Sequence, residues 1–402
     1  MMIPDKGNGE ARKCFLVINA GSSSYKFTLF SQDREGDLER SYYGEIEGIG
    51  GAPRFYAKNN TGDPVDERAW DPGLSRVYLL GYLIDWIEEH IAPNILVAIG
   101  HRMVHGGSLY REPLLITPEN MAKLRTLVYL SPLHQPRVLN AIDALTERHP
   151  ELPHVVCIDT AFHATNPRIS QLYGLPSWLS DEGLIRYGFH GLSYEYISGQ
   201  LSLLDPKAAS GSAVVAHLGS GASMCALRGG KSIASTMGFT ALDGLVMGTR
   251  CGVIDPGVIL YLMQEKNMTP KQVETMLYEQ SGLLGVSGGI SNDVRELLAS
   301  DEHRAKEAID LFVYRVVRET GSLAAAAGGM DAFVFTAGVG EHAPAIRASV
   351  CEQLGWMGIQ LDDEANRDGR QLISTSDSKV NVWVIPTNEE LMIARHVARL
   401  TG

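Results

Sequence analysis

A chain of 402 residues is too long for one comfortable core and predicts two domains of ordinary size. Its 45% hydrophobic and 20% charged residues are those of a globular protein, and a formal net charge of −12 argues against a general binder of nucleic acid or membrane surfaces. A few well-placed Arg and Lys can still build a local pocket for an anionic substrate. Five widely spaced cysteines (Cys14, Cys157, Cys225, Cys251, Cys351) without a C-x-x-C pair read as reduced thiols, not as a disulfide framework or a zinc site. The polar stretch 1–12 lacks the apolar core of a signal peptide. The densest apolar run, 78–87, is interrupted by Gly81 and Asp85, so no membrane span is expected and the protein reads as soluble and cytoplasmic.

In chain order, residues 14–20 form an apolar run ending in a Gly/Ser turn, and 26–30 resume an extended pattern, which predicts two strands joined by a tight turn. Residues 71–91 carry Leu74, Val77, Leu80, Leu83, Ile84 and Ile87 at helical spacing, and Pro93 stops the helix. Short apolar runs at 95–100 and 154–159 read as buried strands, with a helical stretch at 137–149 between them. A loop rich in Pro, Gly and aromatics runs from 160 to about 188. The opening pattern then recurs as strand 213–217, Gly/Ser turn 218–222 and strand 223–227. Sequence identity between the halves is slight, so duplication is only suggested. The chain closes with helix 301–327, strand 332–336, a Gly turn, helix 343–354, strand 380–385 and helix 389–400. Strands alternating with helices predict an α/β protein.

The first turn reads Asn19-Ala20-Gly21-Ser22-Ser23-Ser24-Tyr25-Lys26. Backbone N–H groups freed by glycine, three hydroxyls and a lysine suit a phosphate or Mg²⁺-phosphate ligand. Taken alone it reads first as a plain polar hairpin, since such turns are common. The functional reading gains from a second such turn, His217-Leu218-Gly219-Ser220-Gly221-Ala222-Ser223. A P-loop fails, because Gly230-Lys231-Ser232 ends correctly but Cys225 occupies the first glycine position. Gly338-Val339-Gly340-Glu341-His342-Ala343 satisfies G-x-G-x-x-A, which fits a dinucleotide site or a turn pressed against the adenosine end of a nucleotide.

Basic residues stand in unusual company at His101-Arg102-Met103-Val104-His105-Gly106-Gly107, at Arg186-Tyr187-Gly188-Phe189-His190-Gly191 and at Met247-Gly248-Thr249-Arg250. Three such loops in an acidic protein predict an anion pocket, since arginine's planar fork suits carboxylate and phosphate. His101 and His105 are four apart, but no H-E-x-x-H exists and the glycine pair argues against a zinc helix. Asp159, Glu389 and Glu390, at strand ends, are acidic candidates for Mg²⁺, with helix capping as the rival role for the last two. Without a G-x-S-x-G elbow, an esterase has no nucleophile.

Taken together, these segments resemble the acetate kinase family, as do Pro132-Leu133-His134, Asp159-Thr160-Ala161-Phe162-His163, Ser291-Asn292-Asp293-Val294-Arg295 and Pro386-Thr387-Asn388-Glu389-Glu390, all in the same order from about Phe15 onward. The resemblance implies an actin-like fold with two α/β domains (1–160 plus about 390–402, and 161–389), a cleft site and a homodimer. By resemblance, Asn19, Asp159 and Glu389 surround Mg²⁺ (or Mn²⁺), with Ser22, Ser24 and Lys26 nearby. Arg102 and Arg250 hold the carboxylate and the transferring phosphoryl group; His190 stabilises the transition state, with His134 and His217 close by. Gly219, Ser220 and Gly221 form the second phosphate turn, while Gly338, Gly340, Glu341 and His342, with Asp293 and Arg295, contact the nucleotide. Val104, Leu133 and Phe189 line the acyl pocket.

The implied reaction is reversible in-line transfer of the ATP γ-phosphoryl to acetate, with propionate as a second acceptor, giving acyl phosphate and ADP. A carboxylate is ionised near pH 7 and needs no general base, so charge neutralisation and alignment carry the step. Three positions depart from the family pattern: Ser220 where Asn is usual, His342 where Asn is usual, and Ala241 where Pro is usual. The first two bear on the choice of phosphoryl donor and the third on acyl length. Rival readings are a relative using butyrate or pyrophosphate, a non-catalytic Hsp70-like ATP switch, and an oxidoreductase using residues 338–343.

Overall fold

The structure, a computed structural model, describes residues 11–132 and 134–402, so the expectation placed on Leu133 lies outside the described residues. The chain divides into two compact units, one ending at Asp159 and completed by Glu389–Gly402, the other spanning Thr160–Asn388.

The first unit is built on eight strands: β1 (Lys13–Ala20), β2 (Tyr25–Gln32), β3 (Leu38–Glu47), β4 (Arg54–Asn59), β5 (Pro64–Ala69), β6 (Ile95–Met103), β7 (Leu114–Leu115) and β8 (His154–Ile158). Their order is β5-β4-β3-β2-β1-β6-β8-β7. β1 runs antiparallel to β2, and β1, β6 and β8 are mutually parallel. Helix Arg76–Ile91 starts at its Ser75 cap, whose side chain accepts from the Tyr78 amide at 3.1 Å. That is later than the periodicity predicts, because Gly73 sits at φ +107° and breaks the preceding turn. Its buried stripe includes Leu79, Leu80, Leu83, Ile84 and Ile87. The last helix, Glu389–Thr401, packs on β6 at Gly100, where a Cβ would stand 2.6 Å from Ile393 and 2.7 Å from Val397.

The second unit carries β9 (Ser212–Leu218), β10 (Ala222–Arg228), β11 (Lys231–Ser235), β12 (Ala332–Thr336) and β13 (Asn381–Val384), in the order β11-β10-β9-β12-β13. β12 is buried along its whole length, as expected of a parallel strand covered on both faces. One core layer joins Tyr194, Ile197 and Leu201 of helix Gly191–Leu204 to Val215, Cys225 and Val334 of the sheet. Helix His303–Ala327 packs on β9 and β10 and ends at Gly328, φ +72°.

Both sheets share a five-strand theme. β3-β2-β1-β6-β8 and β11-β10-β9-β12-β13 have the same order, with two antiparallel steps followed by two parallel ones. The suggested repeat is therefore present in topology, although sequence identity is slight.

Several expectations need correction. The strand predicted at 95–100 continues to Met103, so His101 and Arg102 lie on β6 and not beyond it; pairing with β1 and β8 on either side extends it. The glycine turn at 338–340 is a short helix, Ala337–His342, entered through Ala337 at φ +64°. The loop predicted from 160 to 188 contains helical turns at Ala161–Thr165, Arg168–Gln171 and Ser177–Asp181. The β3–β5 meander escaped detection because a strand such as Pro-Val-Asp-Glu-Arg-Ala has no apolar alternation to read. All five cysteines are free thiols, and no helix among the described residues is long and apolar enough to cross a membrane.

Candidate active site

In the first unit the β1–β2 turn closes through the Gly21 amide, which donates to the Ser24 carbonyl at 2.8 Å. Asn19, next to last in β1, stands opposite Lys26 of β2, and Ser22 and Ser24 lie in the turn between the strands. Arg102 shares the strand face of Gly100, the face covered by helix Glu389–Thr401, because alternate strand residues point the same way. There its guanidinium is caged. Nε donates to Asp159 at 3.0 and 3.1 Å, Nη2 donates to Asp159 Oδ2 at 2.9 Å, and Nη1 meets Glu389 Oε2 at 2.8 Å.

Asp159 follows directly on β8 and Glu389 opens the last helix, so three elements converge on one cation. Burial works against the charge of Arg102, but the two carboxylates outweigh it and raise the guanidinium pKa further. Burial also raises the Glu389 carboxyl, with Arg102 opposing. Beside the cage, a cavity of about 20 Å³ is lined by Asn19, Lys26, Arg102, Glu389 and Glu390. That is room for a single water or ion. Val104, just past β6, is half-buried.

In the second unit, His217 sits near the end of β9, opposite Ser223 of β10, with the Gly219–Gly221 turn between the strands. His190 precedes helix Gly191–Leu204 in the left-handed region at φ +57°, an uncommon conformation for a residue with a Cβ. The two imidazoles stack at 4.2 Å between centroids, 17° apart. A Cβ on Gly221 would lie 3.1 Å from Arg250 Nη2 and 3.4 Å from His190 Nε2, so glycine there lets the turn approach both side chains. Arg250 Nη1 donates to the Ala241 carbonyl at 2.7 Å, and burial lowers its guanidinium pKa. Phe189 is buried, and its carbonyl accepts from His163 Nε2 at 2.9 Å.

A cavity of about 740 Å³ opens in the same unit, lined by Gly219, Ser220, Arg250, Asp293, Arg295, Gly338 and His342 among others. Its size suits a nucleotide. Arg295 folds onto Asp293 at 2.6 Å, and this hydrogen bonding pulls the carboxyl down to about 2. Gly340 and Glu341 instead build the helix below: Glu341 Oε1 accepts from the Thr387 amide at 3.1 Å. His342 points mostly to solvent, its side chain 78% exposed.

A model of the acetokinase family matches residues 14–395. The chain belongs to the acetokinase family. It is 54% identical over 389 residues to the acetate kinase of Rhodopseudomonas palustris, covering 96% of this chain and 98% of that one. To the Nitrobacter hamburgensis acetate kinase it is 51% identical over 387 residues, 96% and 95% of the two chains. Among solved structures, Porphyromonas gingivalis acetate kinase superposes with a TM-score of 0.88 at 34% identity, covering 98% of this chain and all of that one. A Francisella tularensis propionate kinase gives 0.89 at 35%, covering 97% and 100%. The α/β two-sheet fold is thus that of the acetokinase family.

Several residues around the candidate site were given no role of their own by sequence reasoning. Gly248, Thr249 and Asn292 line the large cavity beside predicted neighbours. Arg347, 1% exposed, donates from Nη1 to the carbonyls of Gly340 (3.0 Å) and Glu341 (2.8 Å), fixing the end of helix Ala337–His342. A lone arginine among Ile346 and Val350 was the available signal. Ser193, which bonds His217, carried none, and Ser223, which bonds His190, stood only as the last residue of the second Gly/Ser turn.

Proposed function

We propose that the chain transfers the γ-phosphoryl group of ATP to acetate, reversibly, giving acetyl phosphate and ADP. The observation that carries this reading is the joint presence, around the Gly219–Gly221 turn, of Arg250, the stacked His190 and a nucleotide-sized cavity of about 740 Å³. ATP takes the large cavity, its phosphates at the glycine turn. Arg250 and His190 stabilise the charge that spreads over the γ-phosphoryl oxygens in the transition state. Arg102 and Val104 hold the acceptor carboxylate and its methyl group.

Asn19, Asp159 and Glu389 are the residues that would hold Mg²⁺ or Mn²⁺, with Ser22, Ser24 and Lys26 nearby. Their donors are hard oxygens, and an ion-sized cavity touches Asn19 and Glu389. Among the described residues no cluster of three or more His, Cys, Asp or Glu forms a cage, which fits an ion completed by water and phosphate oxygens. The metal supplies neutralisation of phosphate charge when bound.

Propionate is a second acceptor on this reading, since one methylene is worth only about 1–3 kcal/mol of discrimination. The test incubates the enzyme with Mg²⁺, ATP or pyrophosphate, and acetate, propionate or butyrate, trapping acyl phosphate with hydroxylamine. Product from ATP and acetate is expected, and no product from any pairing refutes the proposal. A homodimer is supported by helix Pro256–Gln264, apolar along its length yet without a buried residue, with Leu260 at 55% and Tyr261 at 49% exposure. Sedimentation velocity would return a monomer if that face has another role.

A further inference from the structure

The stacked pair His190 and His217 owes its usefulness to which ring nitrogen carries the proton, and both rings are engaged at Nδ1 by a buried serine. His217 Nδ1 lies 2.8 Å from Ser193 Oγ, and His190 Nδ1 lies 2.8 Å from Ser223 Oγ. Both serines are fully buried. We propose that Ser193 and Ser223 are positioning residues that hold both imidazoles neutral with the proton on Nε2, so that each presents a donor to the phosphoryl group without having to be charged. This rests on the proposed function for its catalytic meaning, although the proton placement itself does not.

A serine hydroxyl has one hydrogen to give and two lone pairs to accept with. The Thr387 hydroxyl donates into Ser193 Oγ at 2.9 Å. Ser193's own hydrogen then goes to His217 Nδ1, the acceptor at hydrogen-bond distance. A neutral imidazole that accepts at Nδ1 carries its proton on Nε2. The second arm repeats the logic: Ser223 Oγ stands between Tyr194 Oη and His190 Nδ1. The phenol is the stronger acid of the two hydroxyls, so it donates to Ser223 and Ser223 donates to the imidazole. Each chain is a run of donors in one sense, which strengthens its members cooperatively.

The geometry explains why two hydroxyl relays replace the carboxylate that commonly orients a catalytic histidine. A carboxylate at Nδ1 favours the imidazolium, and two imidazoliums stacked at 4.2 Å would repel. Hydroxyls set the orientation and leave both rings neutral. His190 Nε2 then faces the Gly221 turn beside Arg250, where the substrate phosphates are placed.

The test is nitrogen NMR of the full-length enzyme labelled at histidine, held near pH 8, well above the ordinary imidazole value of about 6.5. His190→Asn and His217→Asn variants identify the two signals. Both rings should show a protonated Nε2 and an acceptor-type Nδ1, and a protonated Nδ1 on either ring overturns the assignment for that ring. Thr387→Val removes the donor into Ser193 at nearly constant volume. It should bring a protonated Nδ1 into the His217 spectrum and lower kcat severalfold with KM for ATP unchanged, while Thr387→Ser restores both. An unaltered spectrum in Thr387→Val overturns the relay. Ser193→Ala should lose roughly tenfold to a hundredfold in kcat, less than the hundredfold or more of an outright lost transition-state donor. Should the wild-type enzyme form no acyl phosphate, the proposed function falls and the spectra still decide the tautomers.

Discussion

The two units use one strand plan for opposite electrostatic ends. In both, a hairpin with a Gly/Ser turn is followed by a parallel neighbour, β6 beside β1 and β12 beside β9. In the first unit Arg102 stands one residue from the end of β6, and Asp159 and Glu389 close on it from the end of β8 and the last helix. The charge is satisfied inside the unit, and the adjoining space is ion-sized. In the second unit β12 runs into the glycine-containing helix Ala337–His342, and the arginine comes from a loop. Among the described residues Arg250 has no carboxylate within salt-bridge distance; its recorded partner is the Ala241 carbonyl. One strand plan thus carries a self-neutralised arginine in one unit and, in the other, an arginine without a carboxylate partner among the described residues.

The largest test of that contrast is to remove each arginine. Arg250→Ala should cut turnover by about 10³-fold or more, as for other arginines that stabilise phosphoryl transfer, with urea stability near wild type. Arg102→Ala should lose turnover as severely and also about 3–5 kcal/mol of stability, because it strands buried carboxylates. Equal stability of the two variants would break the comparison. Near-normal turnover in Arg250→Ala would remove the anion role proposed for Arg250.

Acid offers a second test. His154 and His163 are each pushed down to about 4 by burial, and burial also places His101 below its ordinary value. Their folded pKa values lie below the unfolded value of about 6.5, so the unfolded chain binds the proton more tightly. The stability they confer is complete above that value and is lost as pH falls toward 4, by about 2 kcal/mol for each such group near pH 5. The first unit holds the hydrogen-bonded pair His101 and His154, 2.9 Å apart, and the second holds His163. Hydrogen exchange followed by segment, corrected for intrinsic rates, should show protection failing in β6 and β8 before β9 and β12 as the medium is acidified. The reverse order would show that acid acts elsewhere.

What could be read in advance follows the range of the interactions. The paired turns, the strands flanking them and the last helix announce themselves through local glycine placement and apolar periodicity, and Arg102, His190 and Arg250 stood out against glycines and aromatics. The cage around Arg102 joins residues 57 positions apart and more, so only the fold reveals that Asp159 and Glu389 neutralise it. Ser193, Ser223 and Thr387 are ordinary hydroxyl residues in sequence. Their meaning appears when Thr387 lands 194 positions away against Ser193. The helix at Ala337–His342 was hidden by its own glycines, which are poor helix formers, until Arg347 beneath it supplied partners for its last carbonyls.

The smallest effect separates the two departures in the second unit. Ser220 lines the large cavity, while the His342 side chain is mostly solvated. An asparagine at 220, the residue usual in the family, adds an amide with both donor and acceptor where the phosphates are placed, and one further hydrogen bond to a charged group is worth about 1.5–3 kcal/mol before ordering costs. Ser220→Asn should therefore lower KM for ATP about threefold to tenfold. His342→Asn changes a group already exchanging with water and should move KM by less than about twofold, since solvated contacts contribute little. Steady-state titration of ATP at saturating acetate measures both. A larger response at 342 than at 220 would mean that the adenosine end of the cavity closes over the nucleotide, recruiting a side chain that otherwise faces solvent.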